Sequence, residues 1–194
     1  MRLTEIAGII LLGVVLVSAI ACGSSSGTGL TPTPDSEFTP TPASVEGFII
    51  FTDDVNGFSI SVPDTWEPEL IQTGDFFYAP SACGGWPASI AVTASYEAGY
   101  TDVQAYYDEV FRPYIEDFNG YRFVSEEDMI IGGIPSIKVI YSYSGTEGDS
   151  VQEMACVMVN QQIVWFVVGS CITACWDTYA DTFCAAAQSL HLLE

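Results

Sequence analysis

Asp53-Asp54-Val55-Asn56-Gly57-Phe58-Ser59-Ile60-Ser61-Val62-Pro63-Asp64-Thr65-Trp66 reads as a turn, a strand and a second turn. Asn56-Gly57 reverses the chain because both residue types tolerate positive φ. Phe58 to Val62 then alternates apolar and small polar residues, the period of a half-buried strand. Pro63-Asp64-Thr65 ends it, since proline donates no hydrogen bond to a ladder. Before the turn, Phe48 to Thr52 makes another short strand.

The pattern continues downstream. Glu69 to Gln72 and Phe76 to Ala79 read as short strands around Thr73-Gly74-Asp75, and Pro80 to Pro87 as a Gly/Pro-rich loop carrying Cys83 and Trp86. Ser89 to Tyr96 is again a strand. Thr101 opens a helix with a capping box to Gln104. Val103, Tyr107, Val110, Phe111, Tyr114 and Phe118 keep to one face of it. Pro113 falls inside and predicts a kink, and Asn119-Gly120 a stop. Four strands follow at Arg122 to Ile131, Pro135 to Ser144, Val151 to Val159 and Ile163 to Gly169. The last is apolar throughout, as a central strand covered on both faces would be. A final helix over about Ala174 to Leu190 repeats Trp176, Tyr179, Phe183, Ala187 and Leu190 on the face that packs on the sheet.

Upstream of residue 48 the composition changes. Gly23 to Gly47 holds a Gly/Ser run and two Thr-Pro-Thr-Pro repeats, which favour extended polyproline II. At about 3.1 Å per residue it reaches on the order of 75 Å. Before it stand Arg2, an apolar run from Ile6 to Ile20, and Ala19-Ile20-Ala21-Cys22. That run is shorter than the roughly 20 apolar residues that span a bilayer. It predicts a lipoprotein signal at 1–21, cleaved before Cys22, whose thiol and new amino group take acyl chains. The expected organisation is signal peptide 1–21, lipidated tether 22–47 and globular domain 48–194.

The net charge is −21. Losing residues 1–21 removes Arg2 and Glu5, one charge of each sign, and leaves that balance unchanged. Such a surface repels nucleic acid and anionic headgroups and attracts cations or a basic partner. With Cys22 on lipid, Cys83, Cys156, Cys171, Cys175 and Cys184 are disulfide candidates outside the cytosol. Five is odd, so at most two bridges form, with the pairing open. A structural bridge involving Cys171 and Cys175 is expected, because Cys171-Ile-Thr-Ala-Cys175 is one residue too long for a Cys-x-x-Cys redox pair.

Asp53 to Trp66 resembles the opening of PsbP-like domains. Ile131-Gly132-Gly133-Ile134-Pro135-Ser136 is similar to their mid-chain turn into a long strand, and the closing hairpin and helix ending in Gln188-Ser189-Leu190 also match. The resemblance covers roughly residues 48 to 193. It implies an α+β fold, an antiparallel β-sheet flanked by helices in an α/β/α sandwich, and a binding or assembly-assisting role rather than catalysis. The cysteines and the Ser81 to Trp86 loop depart from the common pattern.

Chemistry is sparse. The lone histidine, His191, stands at the expected end of the last helix, and no Gly-x-Ser-x-Gly or phosphate-cradling loop occurs. Calcium needs several oxygen ligands. The candidates are Asp53 and Asp54, Glu126, Glu127 and Asp128, and Glu147 with Asp149, all of which equally suit a solvated acidic surface. Trp66, Phe77, Tyr78 and Trp86 are candidates for a ligand groove or for ordinary core. The resulting expectation is a lipoprotein anchored on the extracytoplasmic face of the cell membrane, non-catalytic, with no required cofactor. Its partner would be an envelope protein or small ligand, and not nucleic acid. The alternatives are a calcium-dependent binding protein and an envelope hydrolase.

Overall fold

The computed structural model describes residues 47–71, 74–97, 99–146 and 148–193. The signal segment, Cys22, the tether up to residue 46 and Glu147 lie outside the described residues. Among those described, the alternating segments form ten strands. These are β1 (Phe48–Asp53), β2 (Phe58–Pro63), β3 (Glu67–Ile71), β4 (Gly74–Cys83), β5 (Trp86–Tyr96), β6 (Arg122–Ile131), β7 (Ile134–Ser144), β8 (Ser150–Asn160), β9 (Ile163–Ile172) and β10 (His191–Leu192). All paired strands are antiparallel. Seven make one sheet in the order β3-β4-β5-β9-β8-β7-β6, and β1-β2-β10 make a small second sheet. The expected central strand is indeed central: β9 pairs with β5 on one side and β8 on the other.

Turn chemistry sets the register. Gln161 and Gln162 both adopt positive φ between β8 and β9, the geometry of a tight primed hairpin turn. Gly84 and Gly85, at φ +67° and +95°, do the same between β4 and β5. The loop expected over Pro80 to Pro87 is therefore mostly strand. Pro80 is tolerated because the β4–β5 ladder shifts register between Tyr78 and Ala82, and an irregular ladder has no place for its missing donor.

The helices take the two faces of the large sheet. On one face, α3 (Trp176–Gln188), entered through a 3₁₀ turn at Thr173–Cys175, joins the small sheet. Phe183, Ala186 and Ala187 of α3 are buried with Phe58, Ile60 and Val62 of β2 and with Ile90, Met154, Met158 and Val167 of the sheet. Gly169 has no side chain because the Phe183 ring occupies that space; a Cβ there would lie 2.3 Å from it. Ser59 and Ser61 are buried too, and the Ser61 N–H donates to Ser189 Oγ at 2.7 Å. β2 is thus covered on both sides, not half-buried as its alternation implies. His191 is likewise not a helix-end residue: α3 stops at Gln188, and His191 pairs with Ser59 in the small sheet.

On the opposite face lies a helical segment in three parts, α1 (Val103–Tyr106), a π turn (Tyr107–Phe111) and α2 (Arg112–Glu116). Its cap is Asp102, which accepts from the Ala105 N–H at 2.9 Å, not Thr101. Gln104 does not reach back to the cap; its amide donates to Asp108. The aromatic side chains Tyr106, Tyr107 and Phe111 are buried with Ile137, Val139, Tyr141, Val157 and Phe166. The expected kink takes the form of the π turn directly before Pro113. A proline ring clashes with the carbonyl four residues back and offers no N–H to it. A wider turn relieves both problems without breaking the segment.

A disulfide joins Cys83, at the end of β4, to Cys175 at the start of α3. It closes a sequence separation of 92 residues, a loop for which chain entropy supplies about 3–5 kcal/mol. Cys171 is not its partner. Cys156, Cys171 and Cys184 remain thiols, and burial pushes Cys156 up to about 12 and Cys171 up to about 11.

Candidate binding cleft beside the edge strand

Two backbone irregularities face each other at the β6 edge of the sheet. In a regular α-helix, residues five apart point well away from one another. Here the Arg112 N–H donates to the Tyr107 carbonyl, the five-residue bond of the π turn. The wider turn brings the Tyr107 and Arg112 side chains together, and the Arg112 guanidinium lies 4.8 Å from the Tyr107 ring centre. Across from them, β6 carries a bulge. Phe123 pairs with Tyr141 and Glu126 with Val139, and the register slips between Phe123 and Ser125. Tyr141 and Val139 share a face, so Phe123 and Glu126 share it as well, although three residues apart. Without the extra residue they would point to opposite faces. Arg122 pairs with Ser142 and lies on the other face.

Between the two irregularities lies an open cavity of about 260 Å³, lined by Tyr107, Arg112, Glu116, Tyr121, Phe123 and Glu126. Tyr107 Oη donates to Glu126 Oε2 at 2.7 Å. Arg112 Nη2 donates to both oxygens of Glu126, at 2.9 and 3.2 Å, and lies 3.3 Å from Asp108. Burial works against the charge of Arg112, but Tyr107, Glu126 and Asp108 more than offset it and hold its pKa above the ordinary value. Burial and then the Glu126 hydrogen bond push the Tyr107 phenol upward. Glu116 is exposed and makes no hydrogen bond or ion pair among the described residues. Phe123 is 56% exposed.

The residues anticipated for ligands are placed elsewhere or already engaged. Asp53 ends β1, and its carboxylate accepts from the Val55 and Asn56 N–H groups and the Asn56 amide. Asp54 is exposed on the same turn. Glu126 holds Tyr107 and Arg112, Glu127 pairs with Lys138, and Asp128 is exposed. Among the described residues, no group of three or more His, Cys, Asp or Glu side chains is arranged to hold a metal ion. Trp66 and Phe77 are core: Trp66 meets Tyr179 and Phe183 edge-on, and Phe77 meets Phe51 edge-on at 5.0 Å. Tyr78 follows Phe77 on β4, points to the opposite face and stacks on Phe76. Trp86 is half-buried opposite Cys83. The four therefore line no common groove.

Among the described residues, two buried carboxyls lie outside the cleft. Glu153 accepts from Tyr141 at 2.5 Å, Tyr143 at 2.8 Å and Ser170 at 3.2 Å. Burial raises its pKa, and these donors pull it only part of the way back. Asp75, 1% exposed on β4, faces Asp53, and its Oδ2 has no hydrogen-bond partner. Burial and then the Asp53 carboxylate push it up to about 6. Burial also pushes Asp53 up, but its bonds from Asn56 and Val55 outweigh that and leave it below the usual carboxylate range.

No family model matches this chain, and no curated protein matches it in sequence. Solved structures do match in fold. LpqN, involved in cell envelope biogenesis of Mycobacterium tuberculosis, is similar with a TM-score of 0.58 at 14% identity, covering 76% of this chain and 91% of LpqN. The cyanobacterial PsbP protein CyanoP of Synechocystis sp. PCC 6803 gives 0.54 at 13%, covering 78% of this chain and 96% of its own. The Saccharomyces cerevisiae Ran-binding protein Mog1p gives 0.53 at 10%, covering 76% and 96%. The chain has the Mog1/PsbP-like α+β fold. Its disulfide suits an oxidising, extracytoplasmic compartment, where such bonds persist.

Proposed function

We propose that this chain is a lipid-anchored envelope lipoprotein whose globular domain acts by binding, without catalysis, and that the cleft beside β6 is where it binds. The observation that carries this reading is the pairing of a π turn with a β-bulge around one cavity. Both irregularities cost regular hydrogen bonding, and both recur at functional sites in proteins generally. Here they order Tyr107, Arg112 and Glu126 beside an exposed phenyl ring. Support for the envelope comes from the Cys22 signal, the Pro/Thr tether, the Cys83–Cys175 disulfide and the fold shared with LpqN.

A photo-crosslinking phenylalanine in place of Phe123, in the full membrane-anchored chain, should give a discrete adduct that the same group at exposed Val55 does not give. Equal labelling from both positions, or none from 123, would overturn the reading that a protein partner docks at the cleft. Cys22→Ala should move the protein from the membrane to the soluble fraction; retention on the membrane would remove the lipid anchor from the proposal.

A further inference from the structure

The charged groups around the cleft do not balance. Arg112 is the one cation lining it, and it is answered twice, by Glu126 and by Asp108. Its guanidinium already lies over the Tyr107 ring. Among the described residues, Glu116 has no ion-pair partner, and it lies beside Tyr121 and the open ring of Phe123. Arg122 is on the far face of β6, and Lys138 is held by Glu127. A carboxylate next to aromatic surface matches a cation with an apolar stem, because the head pairs with the charge while the stem lies along the rings. The volume, about 260 Å³, is below the usual range for drug-sized ligands and suits one side chain or a small amine. The net charge of −21 draws cations toward the domain and repels anions.

We infer that the cleft takes an alkylammonium group, its head at Glu116 and its stem against Tyr121 and Phe123. This rests on the cleft being the binding region. The same chemistry is offered by a lysine side chain of a polypeptide and by a free small amine.

The test uses the full chain in nanodiscs with 4-fluorophenylalanine in place of Phe123, followed by fluorine NMR. Butylammonium should shift the resonance saturably, and butyrate at matched ionic strength should not. Glu116→Gln, at an exposed position, should weaken butylammonium binding at least fivefold. Equal response to both ions, or unchanged affinity in Glu116→Gln, overturns the inference. An acetylated Ala-Lys-Ala amide that binds more tightly than butylammonium assigns the polypeptide source, and equal or weaker binding assigns free amines. Amine binding without the crosslinked adduct would sink the partner reading alone. An adduct without amine binding would sink only the ligand class.

Discussion

The two faces of the large sheet each bury one carboxyl group and treat it in opposite ways. Under the 103–116 helical segment, Glu153 is met by three hydroxyl donors from Tyr141, Tyr143 and Ser170. On the α3 side, Asp75 is met by another carboxylate, with one oxygen unpartnered. The rest of each face follows suit. The α3 face is closed by aliphatic, sulfur-bearing and apolar aromatic side chains, Phe58, Phe77, Trp165 and Phe183 among them, with one disulfide at its rim. The helical-segment face is rich in tyrosine and runs out to the cleft. A buried polar group is cheap where donors converge on it and costly where they do not. The α3 face therefore supplies most of the packing, and the other face positions polar groups.

The largest effect should come from breaking the packed face. Phe183→Ala removes the ring that fills the space over Gly169, and should cost about 3–5 kcal/mol in urea or guanidinium unfolding. A loss under about 1 kcal/mol would mean that α3 is not the main support of the sheet.

Next comes pH. The folded Asp75 holds its proton up to about 6, against an ordinary value of 3.8. Between those values the native state binds more protons than the unfolded chain. Asp75 thus contributes stability that is fully present below about pH 4 and lost as pH rises through about 6, on the order of 2–3 kcal/mol. Glu153, also raised, acts with the same sign. Asp53, lowered, acts oppositely, and its contribution is lost only as pH falls below 3.8. Unfolding midpoints measured from pH 4 to 7.5 should therefore fall, and Asp75→Asn should flatten most of that fall.

Replacing each carboxyl by its amide sharpens the contrast further. At pH 7.5, Asp75→Asn should stabilise the protein, because a neutral amide can donate to Asp53. Glu153→Gln should destabilise it by about 1–2 kcal/mol, because it sets an amide donor against hydroxyl donors. The same sign for both variants would show that the two sites are not opposed in kind. The smallest effect belongs to the cleft. Phe123→Ala should change stability by less than about 0.5 kcal/mol, since the ring is mostly in water. A larger loss would make Phe123 a packing residue.

Much of the fold was legible in the sequence. The alternation of Phe58 to Val62 and the helical stripe of Trp176 and Phe183 placed a strand and a helix by period, and the unbroken apolar run of Ile163 to Gly169 placed the central strand. The cleft was not legible. Periodicity treats Tyr107 and Arg112 as pointing apart, and Phe123 and Glu126 as lying on opposite faces. Pro113 was the one signal for the first irregularity, read as a kink and realised as a wider turn. Val124 gives no sign of the bulge, since its residue type is ordinary for a strand. Glu126 was singled out for its acidic neighbours, whereas its role is set by Tyr107 and Arg112.

By itself the sequence determined most of the strand and helix order, the central place of β9 and the acidic charge. These depend on local pattern and composition, which the chain carries residue by residue. Only the tertiary structure decided that Cys83 meets Cys175, that β10 completes a second sheet, that Asp75 faces Asp53, and that a π turn and a β-bulge enclose one cleft. Each of these joins residues far apart in sequence or depends on a departure from the ideal period. Packing between elements settles such features, and no local pattern encodes them.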